Sequence, residues 1–140
     1  MKALSMKQPW AWLVCVGIKD TENRYWHLRA GLPRRIYVHT SKTIDREAFA
    51  WLVGHIPKDI LAKAMVNGVP NAGMFITGAI IGEVDLVSCK FRGEGLNANL
   101  FSIWHMLGQW GFKLANPVLY DKPIPCKGKL SFFEPDIHSG

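Results

Sequence analysis

No two cysteines stand at CxxC spacing in the 140-residue sequence, and there are only three, Cys15, Cys89 and Cys126. An odd count without a spacing pattern argues against a zinc ribbon and offers no disulfide framework. Cys15 and Cys89 lie in apolar runs, where a free cysteine behaves as a small buried hydrophobe. That suits a reducing compartment. HExxH is also missing. His27, His55, His105 and His138 are scattered, so neither a metal site nor a cofactor is expected. The longest uncharged apolar runs, residues 9–18 and 74–82, fall short of the ~20 residues of a membrane helix. Residues 1–8 lack the basic-then-apolar order of a secretory leader. The expectation is a cytoplasmic protein with no membrane partner. Repeats, low-complexity stretches and linkers are absent too, so residues 1–140 read as a single domain.

What is present favours a packed core with a basic region. Hydrophobic residues make up 49% of the chain and charged residues 20%, which rules against disorder. Six Trp, seven Phe and three Tyr supply core anchors or stacking platforms. The net charge is +6, and its distribution says more than its total. Residues 1–46 hold nine Lys/Arg against three Asp/Glu, whereas residues 47–140 hold eight of each. The whole excess lies in the first third, where it would attract phosphates. A solvated basic face is the plain alternative.

Patterning predicts a strand at residues 2–6. Gln8-Pro9 opens a helix over 10–16 that is apolar nearly all round and hence buried. Gly17 closes it in a left-handed cap. Residues 21–26 read as extended, Leu32-Pro33 as a turn. In residues 35–40 Ile36 and Val38 face one way, Tyr37 and His39 the other. Asp45 caps a helix through Val53, and Pro57 starts another through Val66. Residues 67–73 read as a loop and 74–88 as a long strand, bent at Gly78 or Gly82. After a loop at 93–99, residues 104–114 are mixed and 117–122 extended. A turn at 123–127 leads to a last strand at 128–134. Five or six strands with two or three helices, and no regular alternation, predict an α+β fold with a mostly antiparallel barrel.

The charged residues after Gly17 carry the chemistry. In an extended segment Glu22, Arg24 and Trp26 share one face, and Thr21, Asn23 and Tyr25 the other. If one helical turn persists, Lys19 and Glu22 are i,i+3 neighbours. Either way a cation, an anion and a second cation converge. Arg24 offers a planar fork for a phosphate or base edge. Lys19 offers a point charge, and Glu22 an acceptor for an exocyclic amine. A structural ion-pair network is the competing reading.

Gly17-Ile18-Lys19-Asp20-Thr21-Glu22-Asn23-Arg24 resembles the G-x-K-x-x-E-x-R signature of the ASCH superfamily. Upstream, Leu4-Ser5-Met6-Lys7-Gln8-Pro9-Trp10-Ala11 is similar to that family's first strand and helix. Downstream, Ile36-Tyr37-Val38-His39-Thr40-Ser41-Lys42 resembles its next strand. Gly82-Glu83-Val84, the Gly-x-Trp-Gly-Phe segment over 108–112 and Pro123-Ile124-Pro125-Cys126-Lys127-Gly128 follow in order. The resemblance implies a PUA-like barrel whose signature residues line a cleft beside the first helix. It also implies action on RNA or modified nucleosides. Some members deacylate a modified cytidine, and others are associated with RNA cleavage.

Two functions follow. In one, a basic cleft around Gly17, Lys19, Glu22 and Arg24 binds single-stranded RNA, a nucleotide or a modified nucleoside. Ser5, Lys7, Gln8, His39 and Lys42 would contribute contacts, and Trp110 a stacking face more readily than Trp104. Trp10 and Trp12 read as core, with Trp10 able to border the cleft. In the other, the chain is a metal-independent hydrolase, a ribonuclease or a nucleoside amidohydrolase. Lys19 and Glu22 would then act as acid and base, and Glu83 carries over as the strand carboxylate of the deacylating relatives. Those relatives place a nucleophilic Thr where this sequence has Glu22. A close Glu also raises the pKa of Lys19, which makes it a poor base unless burial opposes it.

Overall fold

Alternating apolar residues build the sheet, and one short apolar helix covers it. A computed structural model describes residues 1–28, 31–32 and 34–137; Pro33 and His138 lie outside them. The strands are β1 (Ala3–Gln8), β2 (Thr21–Arg24), β3 (Arg34–Ile44), β4 (Met65–Val66), β5 (Val69–Pro70), β6 (Ala79–Phe91), β7 (Trp110–Pro125) and β8 (Phe132–Phe133). The helices are α1 (Trp10–Cys15), α2 (Ala48–His55) and α3 (Lys58–Ala62). Six strands form one mixed sheet in the order β2-β7-β6-β3-β1-β8, and β4 and β5 form a separate hairpin. Among the described residues only β1 and β3 run parallel; the remaining pairs are antiparallel.

Leu4, Met6, Ile36, Val38, Val84, Leu86, Phe112 and Leu114 fill the inner face, with Leu13, Val14 and Cys15 of α1 packed onto it. Burial pushes the Cys15 thiol up to about 12, so it is an inert core group. Side chains from β2 and the residues after it reach β1 and β8 at the other end of the sheet. Arg24 on β2 donates to Ser5 O on β1 at 2.7 Å. Trp26 packs edge-on against Phe112 of β7 and Phe132 of β8, at 5.2 and 5.8 Å.

Gly17 ends α1 as expected, with φ +83°. Its N–H donates to Val14 O, and that of Ile18 to Leu13 O. This is a Schellman cap, and it turns Lys19 back beneath the helix, where its own N–H also reaches Leu13 O at 2.9 Å.

Three expectations need correction. The helix expected through Val66 stops at Ala62, because Asn67 and Gly68, both at positive φ, turn β4 into β5. Residues 110–125 are one strand, not a mixed segment followed by a shorter strand. The last strand keeps only Phe132 and Phe133, paired with Leu4 and Ala3.

Candidate functional site

A cleft of about 680 Å³ opens between the starts of α1 and α2, the free edge of β2 and the loop before β7. At its base Lys19 is only 5% exposed. Its ammonium lies 3.5 Å from Glu22 Oε1, donates to Thr21 O, and sits 5.7 Å from the centre of the Trp10 ring. Burial holds Lys19 below the ordinary lysine range, against the raising pull of Glu22. Glu22 Oε2 accepts from Arg24 Nη2 at 2.8 Å. Arg24 does not line the cleft; it stands behind Glu22, tied also to Ser5 O, and positions the carboxylate.

The walls are aromatic. Trp10 donates from Nε1 to Asp45 Oδ2 at 2.9 Å and meets Trp51 edge-on at 5.7 Å. Trp51 leans on Trp104 at 6.2 Å. Asn23 fixes the far wall, donating to Trp104 O and accepting from Met106 N–H, both at 2.9 Å. Among the described residues the lining cations are Lys19 and Arg46, against the carboxylates of Glu22, Asp45 and Glu47. The expected basic cleft is therefore an aromatic cleft of mixed charge.

The ASCH domain model matches residues 4–121. The chain belongs to the ASCH family. That family is associated with RNA binding. No curated protein matches the chain.

The ASCH domain disperses the other basic residues of its first third. Lys7 and Lys42 are exposed, outside the cleft lining. Arg34 lies over the Phe132 ring at 4.4 Å, and Arg35 pairs with Glu83 and Asp85. Glu83 is not brought to the cleft. A Cβ on Gly82 would meet Cys15 Sγ of α1 at 2.8 Å, so Gly82 faces the helix and Glu83 leaves from the opposite side of the sheet. There Arg35 and Tyr120 hold it ionised, its pKa below the usual carboxylate range.

Three further candidates have structural employment. Gln8 is fully buried, donates to Gly73 O and Ile76 O, and accepts the Trp12 N–H. It caps α1 and presents no anion site. His39 is buried, with Nε2 2.8 Å from Cys126 O and Nδ1 2.7 Å from Ser5 Oγ. A carbonyl only accepts, so Nε2 carries the proton and Nδ1 accepts from Ser5. Trp110 stacks on His27 at 4.3 Å and lies outside the cleft, whereas Trp104 lines it.

Sequence reasoning missed Trp51, Asn23 and the second role of Asp45. Asp45 is not the cap expected of it: Glu47 stands at the N-cap of α2, and Asp45 closes a turn before it by accepting from Glu47 N–H, while its other oxygen anchors Trp10. Asn23 lay inside the motif at a position read as variable. Among the described residues no helix is long and apolar enough to cross a membrane, and no group of three metal-ligating side chains is found.

Lys19 gives the domain a pH signature. Its folded pKa lies below its ordinary 10.5, so between those values the unfolded chain binds more protons, and stability rises with pH through that window. Lys19→Met removes this contribution. Unfolding free energies measured from neutral pH to about pH 10 are expected to climb in the wild type relative to the variant. Parallel curves would show that the buried amine titrates normally.

Proposed function

We propose that this ASCH domain binds single-stranded RNA, or a nucleotide, by taking one unpaired base into the aromatic cleft. The observation that carries this reading is the meeting of the buried Lys19–Glu22 pair with Trp10, Trp51 and Trp104 in one opening. A tryptophan face supplies stacking without regard to sequence, worth ~1–3 kcal/mol per base. Glu22 keeps lone pairs beyond those facing Lys19 and Arg24, and these accept an exocyclic amine. Lys7 on β1 and Lys42 on β3 stand three residues before the cleft residues Trp10 and Asp45, where they meet flanking phosphates. The Arg24–Ser5 and Trp26–Phe132 contacts support a PUA-like barrel closed at a side-chain seam.

Titration of tryptophan fluorescence with single-stranded RNA at low salt tests the proposal. Saturable quenching is expected, weakened by Trp51→Ala by about 1–3 kcal/mol and reduced by added salt. Negligible affinity at low salt ends it.

One observation favours a second reading, a metal-independent hydrolase acting on RNA or on an acylated nucleoside. Burial overrides Glu22 and lowers the Lys19 pKa, which makes the amine a better base toward a water. Thr21 does not line the cleft, and its Oγ1 donates to Asp20, so it is no substitute nucleophile. Turnover of acylated cytidines or short RNAs, lost in Lys19→Ala and Glu22→Ala, would favour this reading. Intact binding without turnover would dismiss it.

A further inference from the structure

We infer that the ASCH domain engages a second nucleotide in a separate pocket across β2, β7 and β6, and that its ligand is an oligonucleotide, not a free nucleoside. This rests on the base-binding reading of the first cleft. The pocket, about 370 Å³, is bounded by Lys90, Lys113, Ser88, Phe101 and His105, with Asp20 and Ser102 at its rim.

Strand register shows why it forms. Thr21, Lys113 and Ser88 lie opposite one another on the three strands, and so do Asn23, Gly111 and Lys90. Directly opposed residues project from the same face. Gly111 leaves a gap in its row, and the His105 ring fills it; a Cβ on Gly111 would fall 2.6 Å from that ring. His105 Nε2 lies 2.9 Å from Gln109 O, so it carries the proton and leaves Nδ1 as an acceptor. Lys90 sits 4.7 Å from the Phe101 ring centre. The pocket thus joins an aromatic face, a buried imidazole and two lysines.

Its charge is opposite in balance to that of the first cleft. Among the described residues Asp20 is the only lining carboxylate, and it already accepts from Ser102 Oγ at 2.5 Å and Thr21 Oγ1 at 2.9 Å. Lys90 donates to Leu100 O at 3.2 Å and keeps further N–H donors, and Lys113 is exposed, so both offer donors to a phosphate. Asn23 lines the first cleft, and its row partners Gly111 and Lys90 line the second. Two strand spacings, about 10 Å, separate Asn23 from Lys90. Adjoining nucleotides of an extended strand cover that reach. The cleft reads a base, and the pocket holds the phosphate of the neighbouring nucleotide, which a mononucleotide lacks.

Calorimetric titration with a mononucleotide, a dinucleotide and a tetranucleotide of the same base at several salt concentrations tests this. The tetranucleotide is expected to bind about tenfold or more tighter than the mononucleotide. The double variant Lys90→Ala/Lys113→Ala should lose that gain, flatten the salt dependence by about 0.7 log unit per lost phosphate contact, and leave the mononucleotide unaffected. Lys90→Arg/Lys113→Arg should retain the gain. A tetranucleotide that binds no tighter than the mononucleotide, or an alanine variant with the wild-type salt slope, overturns the second pocket alone. No binding by any of the three overturns the base-binding reading with it.

Discussion

Glu22→Ala is expected to cost the fold about 3–5 kcal/mol, the usual loss when one member of a buried ion pair is removed. Glu22 serves two cations, Lys19 and Arg24, and Arg24 also holds Ser5 O of β1. Without the carboxylate, Lys19 keeps Thr21 O, the Trp10 face and the more distant charge of Asp20. The urea midpoint should fall by about 1 M or more at an ordinary slope of ~1–3 kcal/mol/M. Glu22→Gln keeps the shape and an acceptor, so it should lose less. Lys19→Met combined with Glu22→Leu should recover part of the loss, because it removes a buried charge along with its partner. A Glu22→Ala protein within about 1 kcal/mol of wild type would mean that water already solvates the pair.

Gly82→Ala is expected to destabilise at or above the top of the ~1–3 kcal/mol range for overpacking. The added Cβ would sit 2.2 Å from Val118 O and 2.8 Å from Cys15 Sγ. The first is a backbone atom of β7, so relief requires the β6–β7 ladder to shift. Gly54→Ala makes a control of opposite sign. Gly54 lies in α2 with open space around it, and the change should stabilise by up to about 1 kcal/mol. Equal effects at both positions, read by thermal unfolding, would remove the packing argument.

The parts of the fold legible in the sequence were those with local causes. Ile36 and Val38 alternate into the core, and Gly17 supplies the left-handed cap that delivers Lys19. β7 was obscured by its prolines. Pro117 and Pro123 sit where the register with β6 slips, between Ala115 and Val118 and between Leu119 and Ile124. A missing N–H costs nothing at such points. The expectation for Glu83 rested on the resemblance, and the plain alternation that sets Gly82 against α1 sends Glu83 and Asp85 together to the other face, onto Arg35. The Lys19–Glu22–Arg24 cluster was legible because it lies within eight consecutive residues. The aromatic walls were not. Trp51 comes from α2, and Trp104 from a loop whose placement depends on Asn23, 81 positions away.

The parallel pairing of β1 with β3 has a consequence in time. The connection between them carries the whole motif, and the strand at its centre, β2, has β7 as its sheet partner, with Glu22 opposite Phe112. Ribosomes add about 5–20 residues per second, so the motif leaves the ribosome on the order of seconds before its partner exists. Through that interval Glu22 and Arg24 belong to an unpaired segment, and Lys19 is still wet. A chain halted before residue 110 would carry every residue of the signature and no cleft.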